Sequence, residues 1–158
     1  MSDQYENDLM LDDDKPDLSS ARDLHLVFRL EDEDYAINVA DVADILTYDK
    51  LRRVPKTVDY LKGIMNNRGD IIPVICVRTK FLKPLKEYDF ETCIVKVKFE
   101  EYALGLIVDR VIGVENITQE QIKSPPNAKL SYANQFIKNI GVVEDKVRMI
   151  LCLEKLIF

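Results

Sequence analysis

Apolar and polar residues alternate with a period of two along most of this chain. In "LHLVFRL" (24–30), Leu24, Leu26, Phe28 and Leu30 fall on one side, and His25, Val27 and Arg29 on the other. That is the period of a half-buried strand. "EDED" turns the chain, and "YAINV" (35–39) alternates again. "DVADILTY" predicts a turn at Ala40–Ala43 and then a strand to Tyr48. "GIMNN" and "DIIPVICV" flank Arg68 and Gly69 as a hairpin, because Asn, Gly and Asp tolerate the positive φ of a tight turn. "VRTKFL" predicts a short helix ending before Pro84. "TCIVKVKF" (92–99), "YALGLIVD" (102–109), "VIGVENI" (111–117), "FIKNIGVV" (136–143) and "VRMILCL" (147–153) are further strands, and "EKLIF" is a closing helical turn. The total is ten strands. Pro73 inside one of them predicts an edge or a bulge.

The two halves repeat one another. "EDYAINVADV" (33–42) lies on "EEYALGLIVDRV" (100–111) with a two-residue insertion, and "DIIPVICVRTKF" (70–81) lies on "KVRMILCLEKLI" (146–157), setting Cys76 against Cys152. A duplicated five-stranded unit closed on itself would remove its edges and bury a core. The expected fold is all-β, with two small antiparallel barrels packed together. The second hairpin tip, "VVEDK", turns with Glu144 and Asp145, so the fold itself does not call for an arginine at position 68.

Charge changes the picture once it is located. Residues 1–20 hold seven acids and one base, which accounts for the whole net charge of −6. This stretch reads as a flexible acidic tail, and residues 21–158 as the folded part, with lobes of about 21–85 and 90–158. The rest of the chain balances acids against bases, which speaks against nucleic acid as a partner. No apolar run approaches the roughly 20 residues of a membrane span, and no secretory pattern is visible at the N-terminus, so a cytoplasmic protein without direct membrane insertion is expected. Cys76, Cys93 and Cys152 sit in apolar runs without CxxC spacing and read as buried free thiols.

Candidate chemistry is sparse. His25 stands alone in an amphipathic strand, with no metal-ligand spacing around it. The five glycines form no phosphate loop, and no serine occupies a GxSxG elbow. No metal and no cofactor are expected. A binding module is favoured over an enzyme. Apolar residues exposed in the groove between two barrels would mark the partner site.

"LVFRLEDEDYAINVADVADIL", "GIMNNRGDIIPVICVRTKF", "ALGLIVDRVIGV" and "VRMILCLEKLI" resemble the CheW family of chemotaxis coupling proteins, from about Leu24 to Ile157. The resemblance implies two intertwined five-stranded SH3-like barrels with short helical turns and no catalytic activity. It implies an adaptor linking the cytoplasmic tips of chemoreceptors to the regulatory domain of the histidine kinase CheA, in membrane-associated arrays where other CheW-like proteins are possible ring partners. Carried over residue by residue, Val42, Asp44, Ile45 and Arg68 are the receptor-binding positions, with an acid–arginine pair between Asp44 and Arg68. Gly63, Gly69, Gly105 and Asp109 are turn or structural positions, Asp109 lying in the family's "VD" motif with Val108. Three departures bear on partner choice: Asn67 replaces the family's Leu, Cys76-Val77-Arg78 its "DLR", and Cys152-Leu153 its "LD". A tandem SH3-like barrel binding another peptide or protein outside chemotaxis is the alternative reading.

Overall fold

The computed structural model describes residues 22–49, 51–55, 58–125 and 132–157; the acidic segment 1–20 lies outside them. The chain is all-β, with strands in two sheets. The first half supplies β1 (Leu24–Leu30), β2 (Glu33–Asn38), β3 (Val42–Thr47), β4 (Leu61–Asn67) and β5 (Asp70–Cys76), then helix α1 (Val77–Lys80). The second supplies β6 (Cys93–Phe99), β7 (Tyr102–Val108), β8 (Arg110–Asn116), β9 (Ile122–Lys123), β10 (Ile137–Val143) and β11 (Lys146–Leu151), then helix α2 (Leu153–Ile157). Short 3-10 segments precede β3, β9 and β10.

The sheets do not divide the chain at residues 85–90. One runs β8-β1-β2-β11-β10-β9 and the other β3-β6-β7-β5-β4, so each takes strands from both halves. The exchange is reciprocal, because β11 joins β2 and β5 joins β7, both in parallel. Strands meeting in parallel cannot be joined by a tight hairpin, and here each half supplies what the other lacks. The expected count of ten strands is corrected by β9, whose two residues pair with Ile140 and Gly141 and are too few to show a period. Among the described residues no ladder joins the end strands of either sheet.

The repeat is present: 70–81 lies on 146–157 in the register read in the sequence, whereas the match of 33–42 to 100–111 is shifted at its start. The hairpins Leu30↔Glu33 and Phe99↔Tyr102 are equivalent, and so are the crossing points Ala36↔Ile150 and Gly105↔Val74. Tyr35 therefore corresponds to Leu104 rather than Tyr102, and no insertion is needed. Tyr35 is buried and Tyr102 is 51% exposed, so the "EDY"/"EEY" match falls on different environments.

Three clusters form the core. The central one lies between the sheets, with Leu26, Phe28, Tyr35 and Ile37 from one and Val95, Val97, Leu104 and Leu106 from the other. Rings of Phe28, Tyr35, Phe81 and Phe136 follow each other at centroid distances of 6.0, 5.4 and 5.2 Å. Contacts of that length add to the area buried. Smaller clusters lie on the far face of each sheet, around Val27 and Ile150 and around Val74 and Ile94. Pro73 sits in the inner strand β5, one residue before its pairing with β7 begins, so its missing N–H falls outside that ladder. Cys76 is buried, Cys93 and Cys152 are half-buried, and all three are free.

Candidate functional site

Arg68 and Gly69 are the two central residues of the β4–β5 hairpin, closed by Asn67 opposite Asp70. Both have positive φ, 54° and 90°. Two such residues in a row make the turn whose twist matches the flanking strands. Glycine takes that conformation freely, whereas an L-residue is disfavoured in it. Asn66 Oδ1 accepts the Gly69 N–H at 2.9 Å and fixes the turn from inside. The second hairpin does the same with Glu144 and Asp145, at φ 51° and 66°. The backbone freedom expected of Gly69 is thus required of Arg68 as well.

The Arg68 side chain is 83% exposed, and its Nη2 lies 3.7 Å from Asp44 Oδ2. The acid–arginine pair that the resemblance implies is formed. Asp44 also accepts the Ile45 N–H at 2.8 Å, which orients its carboxylate. β3 and β4 are the end strands of their sheet, so the pair bridges across the gap that no ladder closes. Beneath it Lys96, 6% exposed, donates to Asn67 Oδ1 at 3.0 Å and lies 3.8 Å from Asp70.

Val42 and Ile45 are three residues apart, which in a regular strand would place them on opposite faces. A bulge between Val42 and Asp44 resets the register: Val42 faces Val97, Asp44 faces Lys96 and Ile45 faces Val95. Val42 and Ile45 therefore share the face that leads into the central cluster. Val42 is half-buried and packs on that cluster, while Ile45 is 44% exposed. Of the two apolar receptor-binding positions that the resemblance implies, Ile45 is thus the exposed one and Val42 lies partly beneath it.

β8 repeats this arrangement in the other sheet. Its bulge has Val111 facing Phe28, Gly113 facing Val27 and Val114 facing Leu26. Val111 is half-buried against the central cluster and Val114 is 57% exposed. Val111 and Val114 thus stand where Val42 and Ile45 stand in the first sheet. Sequence reasoning missed them, although the internal repeat, which already lays Val42 on Val111, was the signal that finds them.

The structural positions behave differently from one another. A Cβ on Gly63 would come within 2.5 Å of the Arg52 carbonyl oxygen, because Arg52 and Ile64 exchange backbone hydrogen bonds along β4. Gly105 faces the side chains of Ile94 and Val74 at 2.9 and 3.0 Å from such a Cβ. Asp109 receives Arg78 Nε at 2.7 Å and Nη2 at 2.5 Å, and also the Glu31 N–H at 2.9 Å. Arg78 is 7% exposed and donates further to the Pro84 carbonyl. Burial pushes the Asp109 carboxyl up, but the hydrogen bonds from Arg78 and Glu31 and the guanidinium charge outweigh it and hold its pKa below the ordinary 3.8. In the other sheet Arg148, 4% exposed, is gripped by Glu115 and Asp34. No group of three or more His, Cys, Asp or Glu among the described residues could hold a metal ion, and no helix among them is long and apolar enough to cross a membrane. His25 is buried, with Nδ1 2.7 Å from the Asp23 carbonyl.

Two exchanged sheets, with exposed apolar residues on their outer strands and an exposed arginine at a hairpin tip, define a module built for protein contacts. The CheW-like domain family model matches residues 24–157, and the chain belongs to that family of chemotaxis scaffolding and coupling proteins. It is 33% identical over 132 residues to the chemotaxis protein CheW of Klebsiella aerogenes, covering 84% of this chain and 80% of that one. It is 30% identical to the Bacillus subtilis CheW, over 80% of this chain and 81% of the relative. Its fold is similar to the crystal structure of the scaffolding protein TtCheW from Thermoanaerobacter tengcongensis, with a TM-score of 0.78 and 29% identity, over 83% and 89% of the two chains.

Proposed function

We propose that this chain is a non-catalytic cytoplasmic adaptor that couples chemoreceptor tips to the regulatory domain of CheA in membrane-associated arrays. On this reading a receptor helix contacts the outer strand β3 through Ile45, with Val42 packed beneath it, in a helix-in-groove mode, and Val114 with Val111 on β8 is the equivalent apolar pair of the second half. Arg68 marks one end of the contact and is oriented by Asp44.

The observation that carries this reading is Arg68 itself. It holds a backbone conformation that an L-residue adopts at a cost, and its side chain is 83% exposed. An exposed ion pair such as that with Asp44 contributes about 0–1 kcal/mol, so stability does not account for it. A planar guanidinium offers several donors to the carboxylates and carbonyls of a partner.

The test is an array reconstituted from receptor fragment, kinase and adaptor. Arg68→Ala is expected to fold and to bind the kinase, yet to fail to bring kinase activity under receptor control. Normal receptor control with Arg68→Ala would overturn the reading.

A further inference from the structure

We propose that Lys96 is the positioning residue for the Arg68 hairpin, and that Asn67 is the acceptor which allows this lysine to be buried. The functional consequence rests on the receptor-side reading of Arg68 above; the geometry does not.

Lys96 sits in the middle of β6, between Asp44 on β3 and Gly105 on β7. Its side chain leaves on the face of Ile94 and Val74, toward the hairpin end of the sheet, and only 6% of the residue is exposed. No side chain stands opposite it on β7, where Gly105 is found. A buried ammonium without partners is strongly disfavoured. Here Nζ donates to Asn67 Oδ1 at 3.0 Å and faces Asp70 at 3.8 Å. Asn67 and Asp70 are the two residues that bracket Arg68 and Gly69. The same ammonium therefore grips both feet of the turn from beneath, from the strand paired with the one that presents Asp44 to Arg68.

Position 67 is where the family resemblance implies Leu. A leucine there would leave Lys96 with only the looser contact to Asp70. Asn67 and Lys96 thus form a matched pair, and the departure at position 67 becomes a change in how the coupling arginine is held.

The experiment uses the full chain and the variants Asn67→Leu, Lys96→Met and the double variant. The first readout is hydrogen exchange of the Gly69 amide, which reports on the turn alone. The second is the affinity for a receptor-tip fragment, in the native and in the Arg68→Ala background. Each single variant is expected to speed Gly69 exchange and to weaken tip binding by about tenfold, and the double variant to recover most of both, as contacting residues do when coupled. In the Arg68→Ala background Asn67→Leu should have no further effect on tip binding, whereas a merely structural role would still weaken it. Should Lys96→Met fail to fold, Lys96→Gln keeps a donor for Asn67 and is expected to retain protection at Gly69. Unchanged Gly69 exchange in Asn67→Leu, or a double variant no better than the two singles added, overturns the proposal. If the unaltered protein does not bind the tip fragment, the receptor reading falls, and Gly69 exchange still decides whether Lys96 positions the turn.

Discussion

The β4–β5 turn separates what a residue does for the fold from what it does for a partner. Arg68 at φ 54° and Gly69 at φ 90° occupy the same kind of backbone well, yet only glycine is at ease there. Arg68→Gly and Arg68→Asn are expected to keep or raise stability by up to about 1 kcal/mol, since both relax the turn, and both should abolish receptor control. Chemical denaturation together with the kinase assay checks this; a loss of stability on Arg68→Gly would mean that the side chain braces the fold. Gly69→Val has open space around its Cβ, so its cost is that of the strained backbone alone, about 1–3 kcal/mol. The presence of an arginine at a tip that did not require one was legible in the sequence, because the second hairpin turns with Glu144 and Asp145. Its positive φ was not, because tight turns are read from Gly, Asn and Asp, and the neighbouring Gly69 already seemed to meet the need.

Strands show the same division. Period-two alternation, and short apolar runs between turn residues, located ten of them to within a few residues, although β1, β6 and β7 are buried on both faces over much of their length. It could not locate β9, which is too short to have a period, nor the bulges on β3 and β8, which change the facing of side chains without changing composition. The bulge on β3 decides the behaviour of two apolar neighbours. Val42 is packed on the central cluster, and Ile45 on the same face is 44% exposed. Ile45→Asp and Val114→Asp are expected to fold with less than about 1 kcal/mol lost, as exposed substitutions usually do, and each should weaken receptor-tip binding while kinase binding survives. Val42→Asp places a charge against the core and is expected to lose several kcal/mol, so loss of binding by that variant alone would be ambiguous. Circular dichroism melts beside pull-downs with both partners distinguish the cases. Tip binding unchanged by both Ile45→Asp and Val114→Asp would remove β3 and β8 from the contact.

At the scale of the molecule, strand exchange makes the two halves one folding unit. Each half puts strands into both sheets, a consequence of parallel pairing that no local pattern could reveal, although the repeat itself could be read. The exchange also places Arg78 of the first half against Asp109 of the second, beneath the β1–β2 turn that Glu31 begins. This buried pair ties α1 to the junction of β7 and β8, and it makes stability depend on acid. Asp109 and Glu115 both titrate below their ordinary values of 3.8 and 4.5 in the folded protein: burial opposes the shift at Asp109 but is outweighed by Arg78 and Glu31, and the hydrogen bond from Arg148 leads it at Glu115. The unfolded chain then holds these protons more tightly than the folded one. Their contribution is complete above those ordinary values and is lost as pH falls through 4.5 and 3.8 toward the lower folded values. The urea midpoint is therefore expected to hold steady from neutral pH to about 5 and to drop below it. Asp109→Asn takes away the carboxylate that neutralises the buried guanidinium, leaving it the Pro84 carbonyl and the looser Glu31, and should cost about 3 kcal/mol at neutral pH. It should also make the acid limb shallower, because one of the depressed carboxyls is gone. An Asp109→Asn protein as stable as the parent at pH 7, with an acid limb parallel to it, would show that the Arg78 tie does not hold the halves together.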